Sequence, residues 1–139
     1  MDYIKLRDEI SKSVYSSMSD PDAANYMNTT MVNISAGIIS VNEFMVRAMK
    51  VMVVLLAASK GDAIRSNFEG LLGILATPGV TTIDMGISAI INALEGAAAL
   101  GIGGFTHSEA VAAYTNTVTL AFSVVGEQVS ADDINKARR

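Results

Sequence analysis

Residues 40–59 read SVNEFMVRAMKVMVVLLAAS, and this stretch decides what kind of fold the chain adopts. It opens with a capping box, in which the Ser40 hydroxyl accepts from a free backbone N–H and the Glu43 carboxylate lies at the positive end of the helix dipole. The rest is apolar almost all round, which is typical of a central buried helix. We therefore predict a helix over 41–59 that anchors the core, with a short strand at 51–54 as the alternative.

The same Ser/Thr-x-x-Asp/Glu pattern marks other helix starts along the chain. Three further boxes are Thr81…Asp84, Thr106…Glu109 and Ser130…Asp133. Asp20-Pro21 adds another start, because Asp is a favourable cap and Pro is tolerated at the first helical position. Each box precedes an apolar-rich run, and together they indicate helices.

These signals predict an all-α fold, a compact bundle of about five to seven helices forming a single domain over 1–139. A Ser-rich turn, a loop over 33–37, Thr-Pro-Gly at 77–79 and a glycine-rich loop at 101–104 separate the helices. Lys60 and Gly61 are predicted to end the 41–59 helix, and Asp62 to cap the next one. The predicted helices are 3–15, 21–31, 41–59, 62–76, 82–100, 107–125 and 131–138.

The composition is apolar without a membrane signature. Half of the residues are hydrophobic, only 17% are charged and the mean hydropathy is +0.38. No uncharged apolar run reaches the ~18 residues that a membrane helix requires, and the N-terminus lacks the apolar core of a signal peptide. We therefore expect no membrane partner. The apolar excess either contacts other protein chains or fills a large core.

The distribution of charge argues against nucleic acid as a specific partner. Residues 66–135 contain no Lys or Arg but carry seven acids. Proteins that bind nucleic acid need cations to replace the counterions on phosphate. A surface with few charges suits permanent protein contacts instead.

Little in the sequence points to catalysis, a cofactor or a metal site, and we predict none of the three. There is no cysteine and only one histidine, His107, which we expect to be an exposed residue in the first turn of a helix. The glycine-rich loop lacks the Gly-Lys-Ser/Thr of a phosphate-binding P-loop, so we expect it to end a helix. Acid pairs occur at 20/22 and 132/133, where first-turn positions favour carboxylates for electrostatic reasons.

The two ends of the chain resemble a known family. Residues 15–28 read YSSMSDPDAANYMN, and residues 129–138 read VSADDINKAR. They are similar to a family of small proteins encoded in the structural-gene region of tailed bacteriophages, which carry Tyr…Met-Ser-Asp…Ala-Ala…Leu-Asn near the start and Val…Ala-Asp-Val…Ala-Arg at the end. Met27 replaces the family's Leu and Ile134 replaces its Val, while 38–122 has no counterpart. The resemblance implies a virion or virion-assembly protein present in many copies.

The sequence thus predicts a non-enzymatic virion structural protein of a tailed bacteriophage, a neck or tail component such as a head–tail adaptor or tail-associated ring subunit. Its expected partners are identical subunits and other virion proteins (portal, tail or capsid), because a heterologous interface repeated by rotation closes into a ring. We expect the amphipathic, charged ends of the chain to reach these neighbours. The candidate interface residues are Ile4, Leu6, Ile10, Val14, Lys136, Arg138 and Arg139.

Two alternatives remain open at this stage. One is a small helical partner-binding regulator or assembly chaperone, because flexible methionine side chains suit adaptable apolar surfaces. The methionines concerned are Met18, Met27, Met31, Met45, Met49 and Met52. The other is an enzyme with a carboxylate site around Asp84, Glu95 or Glu109.

Overall fold

The computed structural model describes residues 1–59 and 62–139, and the described chain is mostly helical. It contains ten α-helices, two short 3₁₀ turns and four short strands in two two-stranded sheets. The predicted helical class is therefore confirmed, but the prediction of a purely α fold is wrong. The chain forms two compact units, Met1–Ile34 with Thr117–Arg139 and Ser35–Asn116. The predicted end of the 41–59 helix at Lys60-Gly61 lies outside the described residues.

Unit 1 joins the two ends of the chain around a small core. Its helices are α1 (Tyr3–Ile10), α2 (Asp20–Thr29), α9 (Leu120–Val125) and α10 (Ala131–Arg138), with a 3₁₀ turn at Ser13–Tyr15. Leu6, Met27 and Ile134 are fully buried and bring α1, α2 and α10 together. A polar clamp reinforces this core, because the Asn28 side chain donates to the Val129 carbonyl at 2.8 Å and accepts from the Val129 N–H at 3.0 Å.

A buried carboxylate in unit 1 has two partners. Glu9 is only 6% exposed, and it accepts from the Tyr15 hydroxyl at 3.1 Å and pairs with the Lys12 ammonium. These contacts offset the cost of removing a charge from water. Burial, and then the Glu9 charge, raise the pKa of Tyr15 well above its ordinary value, so the phenol stays protonated and can donate.

Unit 2 holds the larger core and most of the short elements. Its helices are α3 (Val41–Arg47), α4 (Met49–Ala57), α5 (Ala63–Ser66), α6 (Glu69–Ala76), α7 (Ser88–Ala99) and α8 (His107–Tyr114), with a 3₁₀ turn at Ile102–Gly104. Phe44, Leu55 and Leu94 are at most 1% exposed and tie α3, α4 and α7 to this core.

Four strands appear where the sequence predicted loop or helix. Strand β2 (Ile38–Ser40) pairs antiparallel with β3 (Thr82–Asp84), with Ile39 opposite Ile83. Strand β1 (Met31–Ser35) pairs with β4 (Thr115–Thr119), and both unit boundaries fall within these two strands.

Two predicted helices are corrected by these strands. Thr81 begins no helix, because Thr82–Asp84 is extended and α7 starts only at Ser88. The predicted helix over 107–125 is interrupted, because β4 separates α8 from α9. The segment at β4 is TNTVT, which is rich in β-branched residues, and pairing with β1 satisfies its backbone.

The predicted 41–59 helix forms over Val41–Arg47 and Met49–Ala57, so it is broken at one residue, ends two residues early and is buried on one side only. Ala48 (φ −103°, ψ 20°) separates α3 from α4, although its N–H still donates to the Phe44 carbonyl. Val51 and Leu55 face the core, whereas Val53 on the opposite side is 63% exposed. The expectation of a helix buried all round is therefore wrong.

Candidate interaction surface

An apolar row lies on the outer side of α3 and α4. Its four members are exposed by more than half: Val46 by 61%, Met49 by 55%, Val53 by 63% and Leu56 by 57%. We call this set the α3–α4 seam. Their spacing of three, four and three residues follows one helix face, and it equals the a/d spacing of a coiled-coil seam. Complete burial of such a side chain is worth about 1.5–3 kcal/mol, so exposing four of them is costly.

The seam arises because the α3–α4 helix pair is apolar on two faces but packs only one of them on the core of unit 2. Phe44, Val51 and Leu55 occupy unit 2's core from one side of the helix pair. The remaining apolar residues must then point outward, where no other element of the described chain covers them. The spacing of the four seam residues can be read in the sequence. However, 40–59 is so uniformly hydrophobic that the sequence does not show which face of the helix stays exposed.

One edge of the seam is lined by methionine. Met45 and Met52 border a hollow of about 190 Å³ together with the seam residues. On the far side of Met45, Met52 and Leu56, a second hollow of about 330 Å³ extends towards α6. Its other lining residues are Val41, Arg65, Leu72, Leu75 and Ala76. Unbranched thioether side chains adapt their shape to a partner, so this edge suits protein contact.

The opposite edge of the seam is charged. The Arg47 guanidinium binds the Glu43 carboxylate at 3.0 Å and also donates to the carbonyl oxygens of Ala113 and Thr115, at 3.2 and 3.3 Å. Lys50 pairs with Glu109 of α8 at 2.9 Å. The side chains of Glu43 and Lys50 are 49% and 54% exposed, so both carry charge at the rim of the seam.

A further apolar groove of unit 2, separate from the two hollows beside the seam, lies between α6 and α7 and has a volume of about 440 Å³. Phe68 and Ile90 form its deep wall, and the partly exposed Ile74 and Leu100 form its lips. Ala93 and Gly96 of α7 line the groove, so this part of α7 is not closed by a neighbouring helix of the described chain.

The single histidine belongs to a polar cluster that links α7 to α8. Glu95 accepts from the Tyr114 hydroxyl at 2.6 Å through one oxygen and contacts His107 Nδ1 at 2.7 Å through the other. The Tyr114 hydrogen bond, and then His107, hold the pKa of Glu95 below its ordinary value, and the same bond raises the pKa of Tyr114. His107 is 75% exposed and opens α8, as predicted. Both oxygens of the Glu95 carboxylate have a partner on α8, so this cluster joins α7 to α8.

The carboxylates considered for an enzyme are each engaged separately. Asp84 accepts from the Gly86 N–H at 2.9 Å, Glu95 binds Tyr114 and His107, and Glu109 binds Lys50 and Thr106. Among the described residues, no three acids and histidines come together in a way that could hold a metal ion.

Three of the four predicted capping residues cap a helix, but one complete capping box forms among them. The Ser40, Thr106 and Ser130 hydroxyls accept from the backbone N–H three residues on, and Ser130 with Asp133 completes the reciprocal box. Glu43 binds Arg47 instead, and Glu109 accepts from Lys50 and from the Thr106 hydroxyl. Thr81 and Asp84 do not cap a helix because they lie in and beside strand β3.

The sequence-derived interface residues divide between core and surface. Leu6 and Ile10 lie in the core of unit 1, 0% and 8% exposed, and offer a neighbour almost no surface. Ile4 and Val14 point outward at 78% and 44% exposure. The buried side of α1 faces α10 and α9 of the same chain, and Val14 lies beyond α1, in the Ser13–Tyr15 turn.

The three cations near the C-terminus bind within unit 1. Arg138 pairs with Asp20 at 2.5 Å and donates to the Met18 carbonyl at 3.0 Å. Lys136 pairs with Asp132, and Arg139 donates to Asn135 at 2.8 Å. The Arg138 contacts join the two ends of the chain, whereas Lys136 and Arg139 bind to residues of α10 itself.

Comparison with known proteins gave no relative: no protein-family model matches this chain, and neither curated proteins nor solved structures produced a match. Across 1–59 and 62–139, none of the helices has the length and apolar character needed to cross a membrane.

Proposed function

We propose that this chain is a non-enzymatic virion structural protein of a tailed bacteriophage, located in the neck or tail as a head–tail adaptor or tail-associated ring subunit. It acts by packing on identical subunits and on other virion proteins. The observation that carries this proposal is the α3–α4 seam, an uncovered apolar row of four side chains on an otherwise ordered helix pair. Exposed apolar patches of this kind mark protein interaction sites.

Two further features support the proposal. The segments that resemble the phage family, 15–28 and 129–138, contact each other in unit 1 through Asn28 with Val129 and through Asp20 with Arg138. The residues of the resemblance therefore serve one local structure. The four seam positions also carry no charge, which suits permanent contacts, whose centres are depleted of charged residues.

The experiment is mass spectrometry of purified particles of the phage that encodes this chain, combined with a nonsense mutation in its gene. We expect the chain in complete particles at a fixed ratio to the portal protein. Loss of the chain should block the joining of heads and tails, leaving both parts separate in electron micrographs. Complete, infectious particles that lack the chain would refute the proposal.

An assembly chaperone is the second candidate, favoured by the methionine-lined edge of the seam at Met45 and Met52. A chaperone binds viral subunits during assembly and leaves before the particle is finished. It would co-purify with subunits from infected cells and be missing from mature particles. The same particle analysis therefore separates the two candidates.

A further inference from the structure

We propose that a second copy of this chain covers the α3–α4 seam, with the two helix pairs packed antiparallel. The inference deepens the proposed function and rests on it in one respect, that the chain works by packing on protein. It names the surface, the occupant and the direction of packing.

The seam has the geometry that another helix recognises. Side chains spaced three and four residues apart form knobs that fit the holes of a facing helix with the same spacing. Val46, Met49, Val53 and Leu56 supply this spacing over three turns. A second copy supplies the matching row by symmetry, because a twofold interface uses the same patch on both subunits.

The available area agrees with a pair of copies. Four side chains that are more than half exposed present on the order of 400 Å² of apolar surface, which is the size of a functional patch. One seam covered from one side is small for a stable complex. Two copies that each bury their seam against the other's helix pair, together with the rims, reach about 1,000 Å², the lower bound of a specific interface.

The charges at the rim select the antiparallel direction. Glu43 and Lys50 lie on the same edge, seven residues apart, which is two turns of helix. An antiparallel copy centred between Val46 and Arg47, with the two Val46 side chains at the middle, sets Lys50 of each copy opposite Glu43 of the other. A parallel copy brings no such opposite charges together.

The other edge of the seam stays apolar in this arrangement. Met45 is half-buried at this edge, whereas Met52 is only 2% exposed and belongs to unit 2's core, so Met52 does not reach the second copy. Leu56 then extends over the segment that precedes α3 of the second copy, where Ile38 is 71% exposed. Nucleic acid would meet an apolar row whose neighbouring cations, Arg47 and Lys50, are already paired with Glu43 and Glu109, so it is a poor occupant.

The test is the mass of the purified full chain in solution, measured by light scattering behind a sizing column at low and moderate salt. We expect an assembly with an even number of copies that survives moderate salt, because apolar contact dominates. Val46→Glu and Met49→Glu should each halve the mass. A wild-type monomer at micromolar concentration, or seam variants of unchanged mass, would overturn the proposal.

The matched control is Ile4→Glu, which places the same charge on an even more exposed apolar residue of α1. We expect its mass to equal that of the wild type, and a halved mass would move the interface to α1. Because a glutamate can also disturb folding, the milder Val53→Ser is made as well, and the circular dichroism of each variant must match that of the wild type.

The direction of packing is tested by charge exchange. Lys50→Glu alone should weaken association at low salt by about tenfold, since it sets two acids together at both rims. The double variant Glu43→Lys with Lys50→Glu exchanges the charges and should restore association. Absence of rescue would overturn the antiparallel arrangement.

Failure here is distinct from failure of the proposed function. A monomeric chain that is nevertheless present in particles overturns the pair and leaves the virion role intact. A stable pair that is absent from particles overturns the virion role and leaves the pair intact.

Discussion

Gly103 packs directly against the backbone carbonyl of Lys50. A Cβ placed on Gly103 would lie 2.1 Å from the Lys50 oxygen, and the residue has a φ of +60°. Both features demand glycine, because the obstacle is backbone and the conformation is left-handed. The contact holds the 3₁₀ turn Ile102–Gly104 on α4, the helix that carries most of the seam.

Gly103→Ala is therefore expected to lower the free energy of unfolding by about 2–4 kcal/mol, from the left-handed backbone and the clash together. Urea denaturation followed by circular dichroism measures it. The matched control is Gly73→Ala inside α6, where an added Cβ meets nothing within 4 Å. That change should stabilise by about 0.5–1 kcal/mol, and equal losses in both variants would contradict the role assigned to Gly103.

Arg47 is expected to maintain the end of α8. Its guanidinium satisfies the carbonyls of Ala113 and Thr115, which have no helical partner once the chain turns into β4. Arg47→Met should cost about 1–3 kcal/mol in urea denaturation. Arg47→Lys should recover only part of the lost stability, because an ammonium lacks the planar guanidinium group that donates to both carbonyls at once.

The exposed Lys5→Met in α1 serves as the control for Arg47, with an expected change within about 0.5 kcal/mol. If Arg47→Met and Lys5→Met had equal effects, the Arg47 contacts would contribute nothing.

Two substitutions in the same Ser/Thr-x-x-Asp pattern should differ in how much they lower the free energy of unfolding. Ser130→Ala removes a formed capping box and is expected to destabilise the chain by about 1 kcal/mol. Thr81→Ala alters an identical pattern that caps no helix, and should change stability by less than about 0.5 kcal/mol. Thermal unfolding of both variants, side by side, decides the point, and a cost at Thr81 equal to that at Ser130 would contradict the strand assignment.

Asp133 should contribute to the loss of stability in acid. The Ser130 hydroxyl, followed by the Ser130 N–H and Tyr3, holds the pKa of Asp133 below its ordinary value. A carboxyl with a lowered folded-state pKa stabilises the native state above its unfolded pKa of about 3.9, and this stabilisation is lost as the pH falls through the folded value.

Asp133→Asn should therefore reduce the dependence of stability on pH below about pH 5, as measured by urea denaturation at several pH values. The control is Asp132→Asn, which removes an exposed acid paired with Lys136. We expect Asp132→Asn to leave the acid limb nearly as steep as in the wild type. If the stability of Asp133→Asn fell with acid as steeply as that of the wild type, the capping carboxylate would not be responsible for the loss of stability in acid.

By itself, the sequence determined the helices whose signals are local. Ser130 with Asp133 begins α10 where the capping box predicts it, and Asp62 caps α5 through its own side chain. Those hydrogen bonds span two or three residues, so the chain specifies them without help from distant segments. The start of α3 was predicted for the same reason, since the Ser40 hydroxyl accepts from the Glu43 N–H three residues on.

Only the tertiary structure decided where strands replace helix and which faces are covered. β4 forms because β1, over eighty residues earlier, offers it a partner, and Thr81 fails as a cap because Thr82–Asp84 pairs with β2. The exposure of the seam could not be predicted from the sequence either. Val46 and Val51 are both apolar valines, and only the position of the core made one 61% exposed and the other 1% exposed. Pairing and burial depend on contacts between distant residues, which no local pattern records.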